Sequence, residues 1–186
     1  MQLNTLGIVH DFLRRSVRMG DFCIDATAGK GRDTALLCSL AGPQGRVLAF
    51  DVQETALSQT RELLAREGLH AELILDSHAN MAVYAQRESV DCIVFNFGRL
   101  PGGDPKIMTG AASSLAAIAA GLELLKPGGV MLLAIYYGGE NGYGERDAIL
   151  EYLKTLDSRH FSVLRCDWSN RGGDPPIPAF IWKETV

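Results

Sequence analysis

The sequence predicts an open α/β fold, a seven-stranded and mostly parallel sheet with helices on both faces and an antiparallel last strand. Three observations carry that prediction. Apolar runs rich in β-branched or aromatic residues alternate with stretches that place apolar residues at i, i+3 and i+4. The last two strand-like runs have no helix between them, so they should pair antiparallel. No repeat, low-complexity tract or long linker divides the 186 residues, and one domain over 1–186 is expected.

An amphipathic helix opens the chain, with Leu6, Val9, Phe12, Leu13 and Val17 on one side. Strands are expected at Phe22 to Ala26, Arg46 to Asp51, Ala71 to Asp76, Val90 to Phe97 and Gly129 to Tyr137. Helical spacing fills Asp33 to Ala41, Gln53 to Glu67, Gly110 to Leu125 and Gly144 to Leu156. The closing hairpin joins Phe161 to Trp168 and Ala179 to Lys183 through the Gly- and Pro-rich loop Ser169 to Pro178.

Composition narrows the function classes. With 47% hydrophobic and 22% charged residues the chain can bury a real core, and its net charge of −4 leaves no chain-wide basic field for nucleic acid. Any nucleic-acid partner must meet a local patch. Cys23, Cys38, Cys92 and Cys166 stand singly among apolar neighbours, without Cys-x-x-Cys or a nearby His, so no metal site is expected and the thiols read as reduced. Asp11, Arg14, Arg15 and Arg18 interrupt what would be a signal peptide's apolar stretch. The run from Ala111 to Leu122, broken by Ser113, Ser114 and Gly121, is too short to span a bilayer. A cytoplasmic protein without a membrane partner is expected.

In an open α/β sheet, ligands sit outside the carboxyl ends of the strands. The first such loop reads Asp25-Ala26-Thr27-Ala28-Gly29-Lys30-Gly31-Arg32-Asp33-Thr34, a strand end, a glycine turn and a helix start. Glycine lets the backbone turn sharply and approach a ligand, and the helix start offers free N–H groups. The second strand ends in Asp51, followed by Val52-Gln53, where a carboxylate can accept both hydroxyls of a ribose. A dinucleotide site would want a third glycine where Thr34 stands. S-adenosylmethionine instead brings an ammonium that Asp25 can hold, and no pyrophosphate for a buried carboxylate to repel. The methyl donor is therefore the expected cofactor, with the segment Asp25 to Thr34 around its methionine part. Asp76-Ser77-His78, after the third strand, would face its adenine. Ser77 or Asp76 could equally cap a helix, and His78 could be a structural histidine.

The fourth strand runs out into Asn96-Phe97-Gly98-Arg99-Leu100-Pro101-Gly102-Gly103-Asp104. Asn96 is a polar residue where the reactive methyl should lie. Its carbonyl can accept an amine N–H and aim the nitrogen lone pair, which points to nitrogen as the methyl acceptor. The alternative is that Asn96 merely ends the strand. An aliphatic amine is mostly protonated at neutral pH. His78, Asp104 and Tyr136 are the candidate proton acceptors, although Asp104 could equally cap the Gly102-Gly103 turn.

Taken together, Asp25-Ala26-Thr27-x-Gly29-x-Gly31-x-Asp33-Thr34, Asp51-Val52-Gln53, Asp76-Ser77-His78 and Asn96-Phe97-Gly98-x-Leu100-Pro101-Gly102-Gly103-Asp104 resemble a known family. They look like the small bacterial class I methyltransferases labelled rRNA methylases. Members in Gram-positive bacteria convert 5-aminomethyl-2-thiouridine at the tRNA wobble position to its 5-methylaminomethyl form. The resemblance spans essentially the whole chain. It implies a Rossmann-like class I methyltransferase fold, S-adenosylmethionine with S-adenosylhomocysteine as product, and an RNA acceptor. It also implies a donor site lined by Asp25, Thr27, Gly29, Asp33, Asp51, Gln53, Ser77, His78 and Asn96. The chain departs from the family pattern at Arg99 and in the turn from Tyr136 to Gly142, both on the substrate side.

For RNA, Arg99, Lys106 and Arg171 are expected beside Phe97, Tyr136, Tyr137 and Tyr143 at the active-site rim, cations for phosphate next to aromatics for an unstacked base. Arg14, Arg15 and Arg18 would extend that surface from the first helix, or simply form its solvated face. The resemblance implies the tRNA anticodon loop as the partner, with rRNA possible, and extruding a base that is already partly unstacked costs less than flipping one from a duplex. A homodimer would double the basic patch. The competing readings are an rRNA or small-amine acceptor, a binding domain without transfer, and a nicotinamide-dependent reductase.

Overall fold

A computed structural model describes residues 3–98 and 108–185. Its elements are α1 (Thr5–Ser16), β1 (Phe22–Asp25), α2 (Arg32–Ala41), β2 (Arg46–Asp51), α3 (Glu54–Glu67), β3 (Glu72–Leu75), a 3₁₀ turn (His78–Val83) and β4 (Val90–Phe97). They continue with α4 (Ala111–Leu124), β5 (Leu125–Ile135), α5 (Gly139–Thr155), β6 (Phe161–Arg165) and β7 (Ile177–Lys183). The seven strands lie in the order β3-β2-β1-β4-β5-β7-β6. Strands β1 to β5 are parallel, and β7 slots between β5 and β6, antiparallel to both. The strand order reverses between β1 and β4, which opens a crevice at their carboxyl ends.

Side chains alternate across each strand, and this alternation builds two cores. Ile93, Phe95 and Phe97 of β4, with Met131, Leu133 and Ile135 of β5, pack under α4, α5 and the 3₁₀ turn. Cys92 and Val94, with Val130, Leu132 and Ala134, face α1 and α2. Helix α1 starts at Asn4, whose side chain accepts from the Gly7 N–H at 2.7 Å, and it lays Val9 and Leu13 on the sheet with Phe12 stacked on Phe180. Each fully buried Phe, Leu or Ile contributes roughly 1.5–3 kcal/mol. An exposed pair such as Arg14–Asp11 adds about 1 kcal/mol at most, so the two cores hold the sheet.

Several elements differ from the sequence prediction, and the closing hairpin is one of them, with β6 ending at Arg165 and β7 beginning at Ile177. Strand β5 begins at Leu125, because Val90 pairs with Leu125 and Cys92 already with Val130, so Lys126 to Gly129 form an irregularity that local propensity reads as a turn. Helix α5 begins at Gly139, its glycine-rich first turn having hidden the start. The 3₁₀ turn takes up the cap that the sequence offered at Ser77, which accepts from the Ala79 N–H at 3.2 Å, while Met81 anchors the turn in the core.

Candidate functional site

Strand parity places the site residues. Asp25 follows Cys23 by two positions, so it points to the α1–α2 side, and there it meets the first turn of α2. Its Oδ2 accepts from the Thr34 hydroxyl at 2.6 Å and its Oδ1 from the Thr27 N–H at 3.1 Å. Burial, with Asp33 as a like charge, pushes its pKa up to about 7. The structure corrects the expected direct hold on an ammonium. Asp25 is 0% exposed, and so is Thr34. The two fasten the loop to the helix from below, and the surface a ligand can reach is made by the residues around them.

That surface begins at the glycine turn. Gly29 and Gly31 hold φ of 54° and 79°, left-handed values that a side chain resists. A Cβ on Gly31 would also stand 2.9 Å from the Thr60 Cα. The Gly29 N–H donates to Asp51 Oδ2 at 3.0 Å, and the Gln53 N–H to Asp51 Oδ1 at 2.9 Å. Two backbone donors thus fix the Asp51 carboxylate at the end of β2 while each oxygen keeps a further lone pair. Lys30 is exposed at the tip of the turn.

Asn96 shares a strand face with Cys92 and Val94, so it too points toward α1 and α2. Its backbone N–H donates to the Thr27 hydroxyl at 2.7 Å, tying β4 to the loop after β1. Its side-chain Nδ2 donates to Asp33 Oδ2 at 2.6 Å, and Asp33 Oδ1 is met by His10 Nε2 from α1, also at 2.6 Å. Three elements distant in sequence therefore converge on one buried carboxylate. Gly98 and Thr109 are bonded to each other beside this point, at the two ends of the segment that contains Arg99, Asp104 and Lys106, which lie outside the described residues.

The other candidates are placed as follows. His78 is buried with its ring edge-on to Phe95 and Phe97, on the α4 side of the sheet, so it is not brought to Asn96. Burial lowers its pKa and keeps it neutral, and its Nε2 has no partner among the described residues. Asp76 accepts from the Ser77 N–H, from Asn80 Nδ2 and from the Tyr84 hydroxyl, donors that hold its carboxyl below the ordinary range. Tyr136 is 37% exposed. Burial, with Asp33 second, raises its phenol above the ordinary value, so near neutral pH it already carries its proton and is unsuited to accept one.

The expected RNA surface is rearranged. Arg171 lies over the Trp168 ring at 3.6 Å and donates to the Leu3 carbonyl, so it ties the β6–β7 loop to the start of the chain. The Tyr137 ring is covered by Arg146 at 4.6 Å, and the Tyr143 hydroxyl is bonded to Asp174. Arg15 and Arg18 stand at the carboxyl end of α1, next to the amino end of β1 and across the sheet from the loops, because α1 must finish where β1 begins. Arg14 instead joins cations that the sequence did not assign to RNA. With Lys30 and Arg32 at the glycine turn and Arg66 on α3, it lines a groove of about 630 Å³ over α2. Glu62 and Glu67 stand on the α3 wall, and Lys30, Arg32 and Arg66 have no ion-pair partner among the described residues. His10 and Arg66 belong to no motif, and Arg32 is only a variable position of the donor loop. Helix periodicity alone could have put His10 and Arg14 one turn apart on the same face.

A family model described as "Putative rRNA methylase" matches residues 47–182. The chain belongs to this rRNA methylase family. A family protein from Clostridium thermocellum is 40% identical and superposes with a TM-score of 0.95 over 98% of this chain and 99% of that one. A "putative methyltransferase" from Streptococcus mutans, solved in complex with SAH, is 37% identical with a TM-score of 0.88 over 98% and 99% of the two chains. The chloroplastic tRNA (mnm(5)s(2)U34)-methyltransferase of Arabidopsis thaliana is 31% identical over 187 residues, 95% of this chain and 68% of that protein. The chain spans about half the length of the more distant ubiquinone/menaquinone C-methyltransferases that it also matches.

The geometry suits a methyl donor of the rRNA methylase family. Asp25, Asp33 and Asp51 gather three carboxylates around one loop, and their mutual repulsion contributes to the raised Asp25 pKa. A ligand carrying a sulfonium and an ammonium relieves that repulsion. The Nε2 of His78, beside the Asp76–Ser77 turn and without a partner among the described residues, is a buried polar atom that an adenine amino group could satisfy. No group of acidic, His or Cys side chains fit to hold a metal occurs among the described residues.

Proposed function

We propose that this methyltransferase, which takes its methyl group from S-adenosylmethionine, transfers it to the primary amine of 5-aminomethyl-2-thiouridine at the wobble position of a tRNA. The observation that carries the amine acceptor is the Asn96 side chain. Its nitrogen is committed to Asp33, so its carbonyl oxygen is the end left to take an amine N–H. The name of the Arabidopsis relative supports the tRNA substrate. The cations over α2 support an RNA partner for a chain whose net charge is −4.

In this reading Asp51 accepts the ribose hydroxyls through the lone pairs that Gly29 and Gln53 leave free, and the Gly29–Gly31 turn borders the methionine part. Asp76, Ser77 and His78 border the adenine. S-adenosylmethionine supplies a methyl group already activated on its sulfonium, so the protein's own task is to position the amine. Asn96 Oδ1 holds one N–H and turns the lone pair toward the methyl. The free amine is mostly protonated at neutral pH, so turnover is expected to rise with pH as that proton is lost.

The test is to incubate the protein with S-adenosylmethionine and total tRNA from cells lacking the homologous activity, then digest it and look by mass spectrometry for 5-aminomethyl-2-thiouridine gaining one methyl. Its conversion supports the reading. Methylation of rRNA and not of tRNA would favour the acceptor in the family's description.

A further inference from the structure

We infer that His10, on the first helix, is a positioning residue for methyl transfer, acting on Asn96 through Asp33. The inference rests on the proposed role of Asn96 and adds to it a residue outside every motif of the sequence. An asparagine amide can turn about its last bond and exchange its oxygen for its nitrogen at nearly the same place. With the nitrogen in the oxygen's place it would present two N–H donors to the acceptor amine and hold no lone pair in register. What prevents the turn is a partner that only accepts, and an ionised carboxylate is one.

Asp33 can play that part only if its own orientation is fixed. It sits in the first turn of α2, 5% exposed, and its two oxygens are divided between two partners, Oδ2 receiving Asn96 Nδ2 and Oδ1 facing His10 Nε2. His10 approaches from α1, a helix seated on β5 and β7 by Val9, Leu13 and Phe12. Its ring is itself mostly covered, with the side chain 19% exposed. A proton on Nε2 makes it a donor to Asp33, in the neutral Nε2–H tautomer as much as in the imidazolium. The helix thereby reaches the reacting end of β4 through one carboxylate, and a shift of α1 would be felt at Asn96 through Asp33, at the helix end of the donor loop.

Two polar substitutions on one helix test this with similar folding consequences. His10→Gln keeps an N–H at about the reach of Nε2, whereas His10→Asn falls short of Asp33. The first readout is the Asn96 side-chain amide in a ¹⁵N spectrum, assigned with the Asn96→Ala variant, and it needs no RNA. The amide bonded to a carboxylate is expected to be shifted and protected in the native protein and in His10→Gln, and to move toward free-amide values in His10→Asn. The second is turnover of whichever acceptor the native enzyme methylates. His10→Asn should lower kcat about tenfold with S-adenosylmethionine affinity unchanged, His10→Gln should restore most of it, and His10→Asn should cost nothing further in an Asn96→Ala background.

An Asn96 amide indifferent to both substitutions would overturn the inference, as would a kcat loss that persists undiminished in Asn96→Ala. A native enzyme that methylates no tRNA or rRNA would count against the proposed substrate instead, and the amide spectrum would still decide the role of His10.

Discussion

Asn96 and Asp25 are both polar residues at the carboxyl ends of central strands, and the structure gives them opposite tasks. Asn96 keeps a carbonyl without a partner among the described residues beside a fixed amide nitrogen, so Asn96→Ala is expected to lower kcat about a hundredfold while S-adenosylmethionine affinity changes little, as measured by single-turnover transfer and calorimetry. An equal loss of donor affinity would move Asn96 from acceptor to donor binding. Asp25 has both oxygens engaged and no exposed surface, and its folded pKa stands at about 7 against an ordinary 3.8. A carboxyl raised in this way binds more protons folded than unfolded between those values. Its stabilising contribution is therefore whole below the unfolded pKa and is lost as pH climbs through about 7. Denaturant midpoints of the ligand-free protein should fall over that window, and Asp25→Asn should flatten the fall. A native profile with the same slope as Asp25→Asn would contradict the assignment.

At the scale of elements, the glycine turn between β1 and α2 is the part least able to change. Gly31 combines a φ of 79° with backbone 2.9 Å from where a Cβ would stand. Gly31→Ala must then push the turn away from Thr60 of α3, and with it the Gly29 N–H away from Asp51. A loss of about 2 kcal/mol or more in stability is expected, with donor affinity falling as well. Native stability together with native donor affinity would mean that the turn has room to relax. The ties of Thr5 to Pro176 and of Arg171 to Leu3 belong to the same scale, since they join the start of α1 to the β6–β7 loop. They give Arg171, read from the sequence as a cation for RNA, a part in holding the fold.

For the whole molecule, charge distribution matters more than charge total. A net charge of −4 argues against RNA binding only if the charges are evenly spread, and the groove over α2 draws cations from α1, the glycine turn and α3 to one place. The triple substitution Arg14→Ala, Arg32→Ala, Arg66→Ala is expected to weaken tRNA binding and to flatten its dependence on salt by about one unit of logarithmic slope for each phosphate that is no longer neutralised. Filter binding across a salt series reads the RNA affinity and its slope, and an unchanged slope would place the RNA elsewhere on the surface.

The order of elements was legible in the residues because a parallel sheet needs β-branched runs and helical periods in alternation, and β2 and β4 were located to the residue. The two ends of β5 and the start of α5 were not, because Pro127, Gly128 and the glycines after Tyr137 read as loop, and only pairing with neighbouring strands decides otherwise. The motifs likewise named the strand-end polar residues, since Asp25, Asp51 and Asn96 break apolar runs. What they could not give is who holds whom. Thr34 takes Asp25, Gly29 takes Asp51, and His10 reaches Asp33 across 23 positions. The fold class and the polar strand ends follow from local pattern, which is a property of neighbours in sequence. The partners of Asp25 and Asn96, and the cations that share the groove over α2, follow from which helix packs on which face of the sheet, and only the tertiary structure decides that.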